Sequence, residues 1–396
     1  MCCETLHGEL VRLRPAAKHL TAFYLMVAVG GAAGGILVAI VAPAIFVGYW
    51  EYHLALVATA ALVLGARGLE FSRGVRAAKA GLSERQEWLV AIGGVTAVVG
   101  VVLLGWTLYG QIVESGQGVI VRGRNFYGTV RVYDNPAQDP TLTKREMEHG
   151  RILHGFQYLA PDKRALHSGY YGPKSGLGVA MLNHPSRPGP LRVGVVGLGA
   201  GMIASYAERG DTYAVYEINP TVVTYAESDF SYLADARTRG AAVQTYVGDG
   251  RLVLEQQIGD ANGPLAGGLD VLLLDAFNSD AVPVHLLTKE AFDLYMRVLK
   301  PNGILAVNIS NRHVDLSPVI RGLAAAEGKE ANWVSGQAGD GGPGVIPSVW
   351  MLVTSNRAFL DKAEVKASFQ PWPTDARAPM LWTDDFSNVY DLLHLY

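Results

Sequence analysis

Three acids each close an apolar run: Glu217 in TYAVYEI, Asp249 in VQTYVGDGR and Asp275 in LDVLLLDAF. Carboxylates at the tips of successive parallel strands lie along one rim, where each can meet a different part of a nucleoside and its side arm. Glu217 stands twenty residues beyond Gly197, a spacing at which an acid on the second strand accepts both hydroxyls of a ribose. Gly197, Gly199 and Gly201 read GxGxG, whereas a dinucleotide turn places its third glycine three residues after the second. That spacing favours S-adenosylmethionine over NAD, because the former has no pyrophosphate to rest on a helix start. Asp275 directly ends an apolar strand, where an unpaired carboxylate is costly unless it faces a ligand or donors. Asp249 has a second reading, as a turn aspartate that caps the following helix.

The elements that must carry these acids are legible in the same region. Beyond the linker Pro185 to Pro190, the segments LRVGVVG, TYAVYEI, VQTYVG, LDVLLLDAF, GILAVNIS, NWVSG and VWMLVTS alternate with helical stretches. Near-continuous apolar strands with helices between them predict a doubly wound parallel sheet covered on both faces, with ligand groups at its carboxyl edge. Upstream, VIVRG, FYGTVRVYDN and ILHGFQYL predict a small β-meander. The expected division is a helical membrane region over 1–115, a small β-rich substrate domain over 116–184 and a cofactor-binding catalytic domain over 185–396.

Of the 396 residues, 49% are hydrophobic and 17% charged, an apolar balance for a soluble protein. The excess lies in three runs, Thr21 to Trp50, Leu54 to Ala66 and Trp88 to Val113, which predict three transmembrane helices, contact with membrane lipid and a multi-pass inner-membrane protein. The first run is too long for a cleaved signal peptide. Gly30 with Gly34, and Gly31 with Gly35, have the small-xxx-small spacing that lets another helix approach. Arg12, Arg14 and Lys18 precede the first run, and Arg67, Arg73, Arg76, Lys79 and Arg85 lie between the second and third. By the positive-inside rule both segments are cytoplasmic, which with three spans would send the catalytic domain outside. The cytosolic location of an adenosylmethionine-type cofactor argues for a cytoplasmic catalytic domain instead. A net charge of −3 without a basic stripe argues against a nucleic-acid partner. Cys2 and Cys3 build neither a disulfide framework nor a zinc site, and His149, His154 and His285 lack ligand spacing, so no metal is expected.

From about Val119 to Ser310 the sequence resembles the spermidine synthase family of aminopropyltransferases, and more closely its membrane-anchored, spermidine synthase-like branch. The resemblance rests on NFYGTVRV with HGFQ, on SGYYGPKSG, on GLGAG with YEINP, on GDG, and on DAFNSD. It implies a class I S-adenosylmethionine-dependent methyltransferase-like, Rossmann-type sheet, and a polyamine or other small amine as substrate. S-adenosylmethionine or its decarboxylated form is the implied co-substrate, methylthioadenosine the released product and a homodimer the implied assembly. Carried over by position, the resemblance implies that Gln157 touches the ribose or methionine portion, that Glu217 holds the ribose hydroxyls and that Asp249 with Gly250 reads the adenine. Asp275 would orient and deprotonate the attacking amine, Tyr171 beside Tyr170 would help bind it, and Asp280 would hold a distal cationic end. The chemistry suits those residue types: an alkylamine with a pKa of about 10.4 must shed a proton to attack the carbon beside a sulfonium, and a carboxylate can take it.

This sequence departs from the family at three points. Ala200 stands where the family has an aspartate, Gly172 replaces a polar residue after the tyrosine, and two residues are inserted between the acids of DAFNSD. Ala200 points to intact adenosylmethionine, whose extra carboxylate an aspartate would repel. Aminocarboxypropyl transfer, cyclisation or lyase chemistry, methyl transfer and a non-catalytic nucleoside or polyamine sensor therefore stand as alternatives. Near the carboxyl end, Thr383, Asp384 and Asp385 read either as a helix cap or as acids lining the amine pocket beside Trp382.

Overall fold

The computed structural model describes residues 2–77, 84–276, 283–374 and 376–393, and the chain divides into two compact units, Met1–Thr129 and Val130–Tyr396. The division falls inside the stretch expected as a separate β-rich domain. Asp280 and Lys79 lie outside the described residues.

The first unit is helical: α1 (Cys2–Arg12), α2 (Leu20–Ile36), α3 (Ala42–Ile45), α4 (Trp50–Ala77) and α5 (Glu84–Glu114), closed by strand β1 (Val119–Asn125). A π-helical turn over Leu37–Val41 joins α2 to α3. Two described stretches, Ala17–Ile45 and Ala91–Glu114, are long and apolar enough to cross a membrane, and only 6% of each apolar window is buried in the structure. Among the described residues there are two such helices, where three were expected. The middle run is carried by α4, where Glu51 and Arg67 bracket fifteen uncharged residues, fewer than the roughly twenty that a bilayer core needs. Both bracketing charges are held by protein: Arg124 grips Glu51 at 2.7 and 2.9 Å, and Arg67 meets Glu9 at 2.8 Å.

The second unit opens with an antiparallel meander of β2 (Gly128–Asn135), β3 (Lys144–His149) and β4 (Ile152–Tyr158), followed by the buried helix α6 (Gly176–Leu182). Its body comprises β5 (Arg192–Val196), β6 (Thr212–Glu217), α7 (Pro220–Ser228), α8 (Tyr232–Arg239), β7 (Ala242–Val247), α9 (Gly250–Gln257), β8 (Leu269–Leu274), α10 (Lys289–Val298), β9 (Leu299–Asn308), α11 (Ser317–Ala326), β10 (Glu330–Gly336) and β11 (Ser348–Thr354). All seven expected strands pair into one sheet, in the order β7-β6-β5-β8-β9-β11-β10. Strands β5 to β9 are parallel, and β11 runs antiparallel to both β9 and β10. This is the class I S-adenosylmethionine-dependent methyltransferase-like sheet.

The antiparallel strand corrects the expectation of a wholly parallel sheet. Only the segment 337–347 connects β10 to β11, and a parallel return needs a crossover of a dozen residues or more. Centrally, every residue of β8 is buried, which is why that strand reads as an unbroken apolar run. Helix α10 covers one face by burying Ala291, Phe292, Leu294, Tyr295 and Val298, an i, i+3, i+4 stripe. The linker before β5 is pinned: Arg187 meets the fully buried Asp211 at 2.8 and 2.9 Å, while Asp211 also accepts the amides of Leu191 and Glu208.

Candidate functional site

Strand β5 ends at Val196 and the chain turns through Gly197, Leu198, Gly199, Ala200 and Gly201. The three glycines have φ of +96°, +52° and +82°, in the region that disfavours a side chain. Space imposes the same choice. A Cβ on Gly197 would strike the carbonyl oxygen of Asp275, and one on Gly199 would strike that of His154. After the turn comes a 3₁₀ segment, Met202–Tyr206, where an α-helix was expected. The second unit thus has no helix N-terminus at this point on which a pyrophosphate could rest.

Glu217, at the tip of the neighbouring β6, accepts the Leu198 amide on Oε2 at 3.0 Å and the Asn219 amide on Oε1 at 2.9 Å. Burial pushes its pKa up and these backbone donors pull it back. With the Ile218 amide as a third backbone donor, the carboxylate keeps acceptor capacity for a further hydroxyl. The Gly248 amide donates to the Glu217 carbonyl at 2.9 Å, which brings the third tip alongside. There Asp249 caps α9, accepting the Leu252 amide at 3.0 Å, while its other oxygen lies 2.9 Å from His285 Nε2. The cap reading of Asp249 is therefore met. Its carboxyl is held below the usual range, chiefly by the His285 hydrogen bond. Gly250 is close-packed, since a Cβ there would lie 2.5 Å from Val196 Cγ1.

Asp275 follows β8, its amide bonded to the Val196 carbonyl at 2.9 Å. Both carboxylate oxygens have donors: Asn308 Nδ2 reaches Oδ1 at 2.8 Å, and the Tyr171 hydroxyl donates to Oδ2. Part of its surface opens to a cavity, yet the carboxyl is enclosed deeply enough that desolvation raises its pKa, against the pull of Tyr171 and Asn308. The same burial, with the Asp275 charge, drives the Tyr170 and Tyr171 hydroxyls far above the ordinary tyrosine range, so both stay protonated. The two rings lie 4.7 Å apart, Trp350 packs 5.9 Å from Tyr171, and Tyr206 donates to the Tyr171 carbonyl at 2.6 Å. A carboxylate that accepts from a tyrosine and an amide, at the mouth of a cavity of about 810 Å³, can orient an amine and take its proton.

The structure brings Gly197, Gly199, Glu217 and Asp275 together at the carboxyl edge of β5, β6 and β8, with Asp249 and Gly250 adjoining. Tyr170 lines the cavity beside Asp275, and Tyr171 backs it. Other candidates lie elsewhere. The Gln157 amide donates to Ser231 Oγ at 2.8 Å and to the Arg164 carbonyl at 3.1 Å, and accepts the Ser231 amide at 2.9 Å. Asp384 neither caps a helix nor lines the cavity: Arg251 holds it at 2.7 and 2.8 Å, Thr288 donates to it at 2.7 Å, and its pKa is held down at about 2. Asp385 is exposed, Trp382 is buried in the sheet's core, and the apolar stretch behind them makes only a 3₁₀ turn. Residues that sequence reasoning missed come from distant elements: Arg151 from the β3–β4 turn, His154 from β4, and Ser348 and Val349 from the last hairpin. Asn308, at the end of β9, is a direct partner of the acid. Among the described residues no group of His, Cys, Asp or Glu is placed to hold a metal ion.

Over 199 residues the chain is 26% identical to the polyamine aminopropyltransferase of Vibrio vulnificus strain CMCP6, a match covering 49% of this chain and 60% of that protein. The chain is spermidine synthase-like. It thus spans less than two thirds of the curated relative that it matches. Among solved structures, the spermidine synthase of Thermotoga maritima aligns with a TM-score of 0.40 at 13% identity, over 67% of this chain and 81% of that one. A probable spermidine synthase from Corynebacterium glutamicum ATCC 13032 aligns at 0.40 and 18%, over 63% and 84%. The O-methyltransferase TomG of Streptomyces achromogenes, solved with its SAM, aligns at 0.31 and 17%, over 44% and 78%. No family model matches the chain.

Proposed function

We propose that this spermidine synthase-like chain transfers an alkyl arm other than methyl from an adenosylmethionine-type sulfonium to a small amine, releasing methylthioadenosine. The observation that carries this reading is Asp275, a buried carboxylate held by Tyr171 and Asn308 beside the glycine turn. The nucleoside would sit against that turn with its ribose on Glu217 and its base near Asp249 and Gly250. The amine would lie in the cavity, its nitrogen directed by Asp275 and Tyr170 at the carbon beside sulfur. The C–N bond forms as the C–S bond breaks, the electron pair stays on sulfur, and the proton goes to Asp275. Holding the two reactants in line supplies most of the acceleration, because the sulfonium is already an excellent leaving group.

In this reading the apolar helices at Ala17–Ile45 and Ala91–Glu114 attach the protein to the inner membrane, the second unit works on the cytoplasmic side, and the protein forms a homodimer with no nucleic-acid partner. Transfer of the aminocarboxypropyl arm of intact adenosylmethionine is the second reading, favoured by Ala200. That methyl is buried against β4, 2.9 Å from where a Cβ on Gly155 would lie, so no acid stands there to repel the cofactor's carboxylate.

The deciding experiment incubates the purified full chain with adenosylmethionine or its decarboxylated form, with and without putrescine, and identifies products by mass spectrometry. Methylthioadenosine is expected, and adenosylhomocysteine as the sole nucleoside product would establish methyl transfer instead. Glu217→Ala should weaken adenosylmethionine binding roughly 10- to 100-fold in calorimetry, the worth of about 1.5–3 kcal/mol for hydrogen bonds to a charged acceptor. Unchanged affinity would remove Glu217 from the site.

A further inference from the structure

Asp384 stands two residues after the buried Trp382, whose carbonyl accepts the Lys289 amide at 2.8 Å, and its own amide donates to Glu290 Oε2 at 2.9 Å. Its carboxylate receives the fork of Arg251 at 2.7 and 2.8 Å and the Thr288 hydroxyl at 2.7 Å. A bidentate pair on an anchored backbone loses less freedom on forming than an ordinary surface ion pair. Arg251 lies two residues after Asp249 in the first turn of α9, sends Nε to Glu255 at 3.2 Å and donates from Nη1 to the His285 carbonyl at 2.9 Å. His285, half-exposed in the 3₁₀ turn Val284–Leu286, places Nε2 2.9 Å from Asp249 Oδ2. The carboxyl-terminal segment thus fixes Arg251, Arg251 fixes the turn, and the turn delivers an imidazole to Asp249.

Capping α9 fixes one oxygen of Asp249, but the terminal torsion of an aspartate is soft, and the plane of its carboxylate is set only when the second oxygen has a partner. His285 is that partner. A carboxylate held below its usual range is ionised at neutral pH and only accepts, so Nε2 carries the proton. Held in this way, the carboxylate keeps acceptor capacity for one more donor. The 6-amino group of adenine is such a donor, and a purine without that group offers none there. Resting on the nucleoside placement proposed above, we propose that His285 is a positioning residue for the base, that the Arg251–Asp384 clasp holds it in place, and that the result is a seat selective for a 6-aminopurine nucleoside. The clasp itself touches no ligand. Its effect passes through the aim of Asp249.

The test is calorimetric titration of the full chain in detergent with methylthioadenosine and with 5′-methylthionebularine, the same nucleoside without the 6-amino group. The unaltered chain should bind methylthioadenosine about tenfold tighter than the analogue, the worth of one hydrogen bond to a charged acceptor. His285→Ala and Arg251→Met should each bring that ratio below about three, by weakening methylthioadenosine and leaving the analogue within about twofold. His285→Gln, whose amide reaches as far as Nε2, should restore most of the preference, and Asp384→Asn should fall between. A merely structural role would weaken both nucleosides alike and leave the ratio unmoved. His285 is half-exposed, so its variants are expected to fold even where Arg251→Met does not. No preference for the amino base in the unaltered chain, a ratio that survives His285→Ala, or failure of both nucleosides to bind overturns the proposal. If Glu217→Ala weakens both nucleosides while His285→Ala leaves the ratio as it was, the nucleoside placement stands and the role of the clasp alone falls. Absence of methylthioadenosine from the turnover products removes the transfer reading by itself, because binding is the readout here and needs no reaction.

Discussion

Asp275→Asn should lower kcat for methylthioadenosine release about 10³-fold, within the range expected when a positioned general base is removed. Asparagine keeps the shape and still accepts from the Tyr171 hydroxyl through its carbonyl, but it cannot take a proton. Loss of the buried charge should also stabilise the fold at neutral pH by more than the donor–donor contact of the new amide with Asn308 Nδ2 costs. Burial lifts the Asp275 pKa above its unfolded value, so the folded state favours the protonated form. The stability linked to that protonation is fully present below the unfolded value of about 3.9 and is lost as pH rises through the raised one. At neutral pH the variant should therefore melt higher than the unaltered protein, and the gain should vanish by about pH 3.5. Rate and melting temperature moving in opposite directions mark a catalytic role. If activity and cellular function both survive Asp275→Asn while Glu217→Ala abolishes function, the chain is a nucleoside sensor.

Gly197→Ala should cost roughly 2–5 kcal/mol, the sum of a strained backbone and an overpacked contact. At φ +96° any Cβ is unfavourable, and this one would strike the main-chain carbonyl of Asp275, which cannot rotate away. Differential scanning calorimetry should find the second unit melting about 5–15 °C lower, and adenosylmethionine binding should fall more than 100-fold. Melting within 2 °C of the unaltered protein would mean that the turn relaxes. Alanine at Gly259 is the control, because its φ of +99° imposes similar strain with no atom within 4 Å of the added Cβ. The difference between the two variants isolates the collision with Asp275.

The catalytic half of the fold was legible because its signals are local. Seven apolar runs, three glycines and three acids at strand tips each lie within a few residues of what they position, and the sheet follows from them. The exception, antiparallel β11, turns on the shortness of one loop, which the sequence contains but which apolar periodicity does not weigh. Legibility fell where a residue's role depends on a distant partner. Asp384 looked like a helix cap because Thr-Asp-Asp before an apolar stretch has that pattern, yet Arg251, far earlier in the chain, engages it. Gln157 was placed by resemblance alone, and Ser231 across the fold takes its amide. Arg151, which lines the cavity, had no local signature, being a single residue on a turn. Among the helices, counting apolar residues in the middle run concealed that Glu51 and Arg67 leave too short a stretch between them.

The collision that any side chain at Gly197 would make with the Asp275 carbonyl has a consequence for how such a site can diverge. In the reading proposed above, the turn that would receive the nucleoside and the carboxylate that would take the amine proton share one van der Waals boundary. A change that reshapes the first displaces the second, so a descendant of this chain cannot exchange its sulfonium co-substrate by altering that turn and keep its acid in register. Novelty in acceptor choice is open to single substitutions on the part of the cavity wall formed by Ser335, Gln337 and Ser348, from β10, β11 and the loop between them. On that reading, amine specificity is the evolvable half of the site and the nucleoside seat the inherited one.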